Sequence, residues 1–169
     1  IQKLVPSDQV IHLNEFAKDL WDNGHVIPHA VDLDVHYPRL DKLALRRKWS
    51  TKLNTYIADE SLLVINSDRN DGRKRWDLFF EYISKLKERE EGRVQAIAHT
   101  IVNTHDRGGY DLIRLTRLYG VLENIVFTQF EWNKSLSFDE LAEISSMAEF
   151  NGSTSGGEGF GCGVPESMA

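Results

Sequence analysis

Residues 24–38 gather three of the chain's six histidines, His25, His29 and His36, together with Asp32 and Asp34, punctuated by Pro28 and Pro38. From Val31 onward the segment alternates: Asp32, Asp34 and His36 fall on one parity, and Val31, Leu33, Val35 and Tyr37 on the other. An extended chain would therefore present carboxylate, carboxylate and imidazole on one face and apolar groups on the other. Those donors suit hard or borderline divalent metal ions, so metal-assisted hydrolysis is the chemistry this segment could serve. Two obstacles stand in the way. His25 and His29 are four apart, but Pro28 interrupts any helix that would align them. Same-face side chains on a strand lie about 7 Å apart, too far for all three to meet one ion without a bend. The plain alternative is a solvated loop whose apolar parity closes the core.

A metal site here would need a second contributor, and His105-Asp106 is the pair rich enough to supply it. This adjacent pair resembles the dyad of metal-dependent HD-type phosphohydrolases, which implies a metal held by packed helices. The pattern departs from that family at Arg107-Gly108-Gly109, where the chain breaks and the family's helix would continue. An imidazole at a helix C-terminus is also stabilised by the helix dipole, with no metal required. The run from Asn66 to Gly72 has the composition of a calcium loop but fits neither EF-hand register, since no glutamate falls at position twelve. It reads as a turn feeding a helix.

Two basic clusters, Arg46-Arg47-Lys48 and Arg73-Lys74-Arg75, each precede a tryptophan, Trp49 or Trp76. Such cations bind phosphates and a tryptophan can stack on a base, so these six residues are the candidate nucleic-acid contacts. Each tryptophan nevertheless falls on its helix's apolar stripe, which assigns it to the core. Cys162 lies in a glycine-rich stretch with nothing nearby to lower its pKa, so it is no nucleophile. Gly156-Gly157-Glu158-Gly159 lacks the lysine and following helix of a phosphate loop.

The elements that would position these groups read as helices. Apolar residues recur at spacings of three and four from Ser7 to Trp21, from Pro38 to Ala58 and from Arg73 to Glu91. The same period predicts helices over Arg93–Thr104, Tyr110–Phe127 and Phe138–Ala148, the last opened by a capping box of Ser137 with Glu140. The run Ser61–Ile65 is too short for its period to separate strand from helix. Beyond Phe150, Gly, Ser and Thr dominate, with little apolar surface to offset ordering. The expected fold is all-α: a compact bundle of five or six helices over residues 1–150, with one short extended segment near 30–37. A flexible tail is expected over 151–169.

Composition limits the function classes. With 41% hydrophobic and 27% charged residues the chain is an ordinary globular protein. A net charge of −6, with 26 acidic residues, argues against a surface built mainly for nucleic acid. One cysteine precludes an internal disulfide and favours an intracellular protein, cytoplasmic or nuclear. No apolar run approaches the roughly 18 residues of a membrane span. No organic cofactor is implied; a divalent metal on Asp32, Asp34, His36, His105 and Asp106 is the one group the residues suggest. The expected function is a non-enzymatic binding module, regulatory or part of an assembly, contacting a protein partner through Phe127, Phe130 and Trp132. Nucleic-acid binding through residues 46–48 and 73–75 is the alternative, and a metal-dependent hydrolase the second.

Overall fold

The computed structural model of the chain describes residues 11–12, 15, 18–19, 24–37, 39, 41–102, 108–129, 136–158, 161 and 163–168. Contacts divide the chain into two units, Ile1–Val31 and Asp32–Ala169. In the first, β1 (Ile11–His12) pairs in parallel with β2 (His25–Val26), and Ile27 N–H donates to the His12 carbonyl at 2.9 Å. The expected helix from Ser7 to Trp21 lies largely outside the described residues; of those described, Ile11–His12 are extended and Glu15, Lys18 and Asp19 are helical.

The second unit is α/β, which overturns the all-α expectation. Its sheet is four-stranded and wholly parallel, in the order β5–β4–β3–β6. These strands are β3 (Leu62–Asn66), β4 (Val94–Ile101), β5 (Ile125–Gln129) and β6 (Phe150–Asn151). α1 (Lys42–Leu53) precedes β3, α2 (Trp76–Arg89), α3 (Leu112–Leu118) and α4 (Phe138–Met147) run between successive strands, and α5 (Gly163–Met168) follows β6.

Apolar clusters cover both faces of the sheet. Val64, Ala96, Ala98 and Phe127 pack with Trp76, Phe79, Phe80 and Ile83 of α2 and Leu112 of α3. Leu63, Ile65, Ile97 and Val126 pack with Trp49 of α1 and with Ile144 and Met147 of α4. A strand buried on both faces carries apolar side chains at successive positions and loses the alternation that marks a half-exposed strand. That is why Arg93–Thr104, expected as a helix, is strand β4. The expected Tyr110–Phe127 helix is three pieces: α3, a turn through Gly120 at φ +67°, and β5. The ambiguous run at 61–65 resolves as β3.

The three other expected helices form but are shorter than the periodicity implied. Asp41 caps α1 by accepting from Ala44 N–H at 2.9 Å, and Asn54 ends it in a left-handed turn at φ 47°. The helix from Phe138 forms with both hydrogen bonds of the expected capping box. Residues 151–158, expected as a flexible tail, have defined partners: Phe150 and Asn151 join the sheet beside β3, and Gly152 N–H donates to the Ile65 carbonyl at 2.8 Å. Polar backbone pairing, not apolar burial, orders this stretch. Among the described residues no helix is long and apolar enough to cross a membrane.

Candidate active site

The sheet's strand order reverses direction between β3 and β6. From β3 the chain proceeds through β4 to β5 on one side, whereas β6 adds on the other. The loops leaving the carboxyl ends of these two neighbours therefore part, and in open parallel sheets such a switch point is where ligands bind. Here the two loops are 67–75 after β3 and, among the described residues, 152–158 after β6.

The first loop is fixed from within. Asn66 closes β3 and accepts from Asp68 N–H at 2.9 Å through Oδ1. Asn70 bridges to Tyr110, donating to its carbonyl at 2.9 Å and accepting from its N–H at 2.8 Å. Asp71 accepts from Arg73 N–H at 3.0 Å, capping a 3-10 turn over Gly72–Lys74. Arg75 then takes the left-handed region at φ 51°, a costly conformation for a residue with a Cβ. Its guanidinium pairs with Asp77 at 2.8 Å, and Tyr110 Oη donates to the same carboxylate at 3.0 Å. The Arg75 hydrogen bond holds the Asp77 carboxyl down at about 2, with the Tyr110 hydroxyl adding to it against the opposing effect of burial.

The second loop docks on the first. Thr154 Oγ1 donates at 3.0 Å to the carbonyls of Lys74 and Arg75, and Gly156 N–H donates to Arg73 O at 2.8 Å. Gly152 makes a close approach: a Cβ there would stand 3.2 Å from both Phe79 and Val64, tighter than ordinary contact. Ser153 Oγ donates to Asp68 Oδ2 at 3.0 Å.

Lys74 sits where the loops meet. Its side chain is 9% exposed, its ammonium lies 2.6 Å from Asp68 Oδ1, and it also pairs with Glu158. Burial lowers the Lys74 pKa, but the hydrogen bonds it donates to Asp68 and Glu158 outweigh it and the net shift is upward. Lys74, then Ser155, hold the Glu158 carboxyl at about 2. Arg73 lies 3.4 Å from Glu158 and donates to the Gly157 carbonyl. Asn66, 1% exposed at the foot of this pair of loops, has an amide Nδ2 with no hydrogen-bond partner among the described residues. The site thus holds two cations, an unused donor and carboxylates that neutralise the cations.

The residues singled out from sequence divide between this crevice and elsewhere. Arg73 and Lys74 are in it, and Arg75 braces its floor. Arg46, Arg47 and Lys48 are at the other end of the strands, near Ser61 and Glu149, which precede β3 and β6; the two clusters do not form one patch. Arg46 is buried and donates to the carbonyls of Ala58, Asp59 and Ser61 and to Glu149. Arg47 pairs with Asp59 and Lys48 with Glu143, each at 2.8 Å. Trp49 and Trp76 are fully buried, which removes them as base-stacking platforms.

Asp32, Asp34 and His36 do not form a strand. Asp34 N–H donates to Asp32 Oδ1 at 3.0 Å and His36 N–H to Asp32 O at 2.8 Å, making a turn that leaves both aspartates exposed and buries His36. The alternation there reflects a turn with one inward side chain. Among the described residues no three His, Cys, Asp or Glu side chains gather as metal ligands. His105, Asp106, Phe130 and Trp132 lie outside the described residues. Phe127 is in the core on β5, 9% exposed. Sequence reasoning missed Asn66, Asp68 and Glu158. The signal that could have found them is an apolar strand, a polar turn and a helix in succession, with basic residues at the helix start.

No protein-family model and no curated protein matches the chain. Solved structures do match it, and they show its fold to be similar to that of glycosyltransferase structures. The chain is similar to the sucrose-phosphate synthase of Thermosynechococcus elongatus, with a TM-score of 0.71 and 22% identity over 96% of this chain and 39% of that one. It is also similar to a glycosyltransferase from Rickettsia africae ESF-5, with a TM-score of 0.66 and 16% identity over 87% of this chain and 38% of that one. The chain therefore spans less than two-fifths of the length of either. The expected non-enzymatic helical binding module, its regulatory role and its DNA-binding and hydrolase alternatives rested on an all-α fold. They fall with it, since the unit is an α/β sheet of the kind seen in these glycosyltransferase structures.

Proposed function

We propose that this chain is part of a glycosyltransferase and that the crevice between β3 and β6 binds the phosphate end of an activated sugar donor. The observation that carries this reading is Lys74, a cation 9% exposed at the switch point and held between carboxylates of two different loops. The likeness in fold to two glycosyltransferase structures supports it, as does the unused Asn66 amide beside the loops.

In glycosyl transfer the bond between the sugar's anomeric carbon and a phosphate oxygen breaks as an acceptor hydroxyl oxygen bonds that carbon. The hydroxyl proton passes to a base, and the phosphate departs carrying more negative charge than it had in the donor. Lys74 and Arg73 stabilise that growing charge, which lowers the barrier because the interaction strengthens toward the transition state. Asn66 Nδ2 supplies a further hydrogen bond. When phosphate takes Lys74, the Glu158 carboxylate is released to accept hydrogen bonds from sugar hydroxyls. The single cysteine keeps an intracellular setting within the proposal.

Calorimetric titration with nucleoside diphosphates tests it, since doubly wound sheets bind nucleotides at this position. Saturable binding is expected, weakened by about 100-fold in Lys74→Met as a buried charge contact is lost. Binding that Lys74→Met leaves unchanged would refute the assignment.

A further inference from the structure

The loop after β3 carries Lys74, and one residue from the neighbouring strand's loop grips it. Tyr110 stands between β4 and α3, beside Asp111, which caps α3. Its main chain meets Asn70: Tyr110 N–H donates to Oδ1 at 2.8 Å, and its carbonyl accepts from Nδ2 at 2.9 Å. Its hydroxyl lies 3.2 Å from the Gly72 carbonyl and 3.0 Å from Asp77 Oδ1. Asn70 and Gly72 precede Lys74 and Asp77 follows it, so these contacts straddle the cation. Asn70 is buried, and Tyr110 packs against the apolar cluster that holds Trp76 and Phe80.

The turn has reason to be held. Lys74 N–H donates to the Asp71 carbonyl at 3.1 Å, and the next residue, Arg75, sits in the left-handed region at φ 51°. Backbone in that region persists at a residue with a Cβ only where its surroundings over-determine it. Asp77 supplies the brace, taking the Arg75 guanidinium on Oδ2 at 2.8 Å and the Tyr110 hydroxyl on Oδ1. Burial, then the Asp77 carboxylate, push the Tyr110 pKa up, so the hydroxyl keeps the proton it donates. From the other side, Thr154 of the loop after β6 donates to the Lys74 and Arg75 carbonyls. Lys74 is thus fixed from both strands that flank β3. A lysine stem is long and flexible, and ordering it at the moment of binding costs affinity unless its backbone is already placed.

We propose that Tyr110 is a positioning residue of the donor crevice, fixing through Asn70, Gly72 and Asp77 the turn that sets the Lys74 ammonium against the donor's phosphate. The assignment rests on the crevice binding that phosphate. It gives the loop after β4 a share in phosphate affinity without a side chain of that loop touching the donor.

Calorimetric titration with uridine diphosphate and guanosine diphosphate tests it, in a double-mutant cycle of Tyr110→Phe with Lys74→Met. Tyr110→Phe removes one hydroxyl and leaves the ring packing and the Asn70 bonds, so the chain folds, which thermal unfolding checks. It weakens binding about fivefold, roughly the worth of one hydrogen bond, and adds nothing once Lys74 is replaced. Asp77→Asn alters the same contact from its other side and repeats both results. A second readout needs no ligand: the two ε-methylene protons of Lys74, distinct in chemical shift while the side chain is fixed, move together in Tyr110→Phe. Unchanged affinity in Tyr110→Phe, an equal loss with and without Lys74, or ε-proton shifts that stay apart overturns the assignment. Binding that Lys74→Met leaves unchanged, or no binding of either nucleotide, instead refutes the crevice as a phosphate site and takes this role of Tyr110 with it.

Discussion

Arg46 and Lys74 are both buried cations beside the sheet, and their partners separate their roles. Arg46 is surrounded by carbonyls of three segments and by Glu149, a fork-shaped group used to tie α1 to the starts of β3 and β6. Removing it strands several buried acceptors. Arg46→Ala is expected to cost about 3–5 kcal/mol of stability by urea denaturation, and Arg46→Lys to recover little, because an ammonium cannot reach the same set. Lys74 instead meets carboxylates at an open switch point, an arrangement an incoming phosphate can replace. Acid tests the bracing pair below it. The Asp77 carboxyl is depressed to about 2 in the folded chain, so it binds fewer protons than in the unfolded one and its stabilisation is present above the ordinary value of about 4. That stabilisation is lost as pH falls through about 2. Asp77→Asn should therefore be less stable than the unsubstituted protein above about pH 5, with the difference in urea midpoint shrinking between about pH 4 and pH 2. A difference that stays constant across that range would remove Asp77–Arg75 as a charged brace.

At the level of elements, local signals and long-range ones separate cleanly. The helix opened by Ser137 was legible because its cap is encoded within four residues, and Ser137→Ala is expected to cost about 1 kcal/mol in chemical denaturation. The helix carrying Trp76, Phe79, Phe80 and Ile83 was legible too, since its one apolar stripe packs against one face of the sheet. Strand β4 was not. Val94, Ile97 and Ile101 match a helical period, and only burial on both faces, a tertiary fact, makes them a strand. The Gly120 turn between α3 and β5 was hidden in a run of apolar residues that looked continuous. For the candidate site, the basic residues 73–75 were visible as a cluster. Their acidic partner Glu158 was not, because it stands some eighty residues on and meets Lys74 only once β6 has paired with β3.

For the whole molecule, strand order does most to define function. The reversal between β3 and β6 brings two sequence-distant loops to one crevice, and the glycines of the second loop let its backbone lie against the first. A chain that spans less than two-fifths of its structural neighbours carries this part of their architecture, with the donor's phosphate end as its proposed ligand. The most direct test is a crystal structure with a nucleoside diphosphate. The expected result is phosphate density between the Lys74 ammonium and the Asn66 amide, with the Glu158 carboxylate displaced from Lys74. Density seated elsewhere, with the Lys74–Glu158 pair intact, would contradict the account.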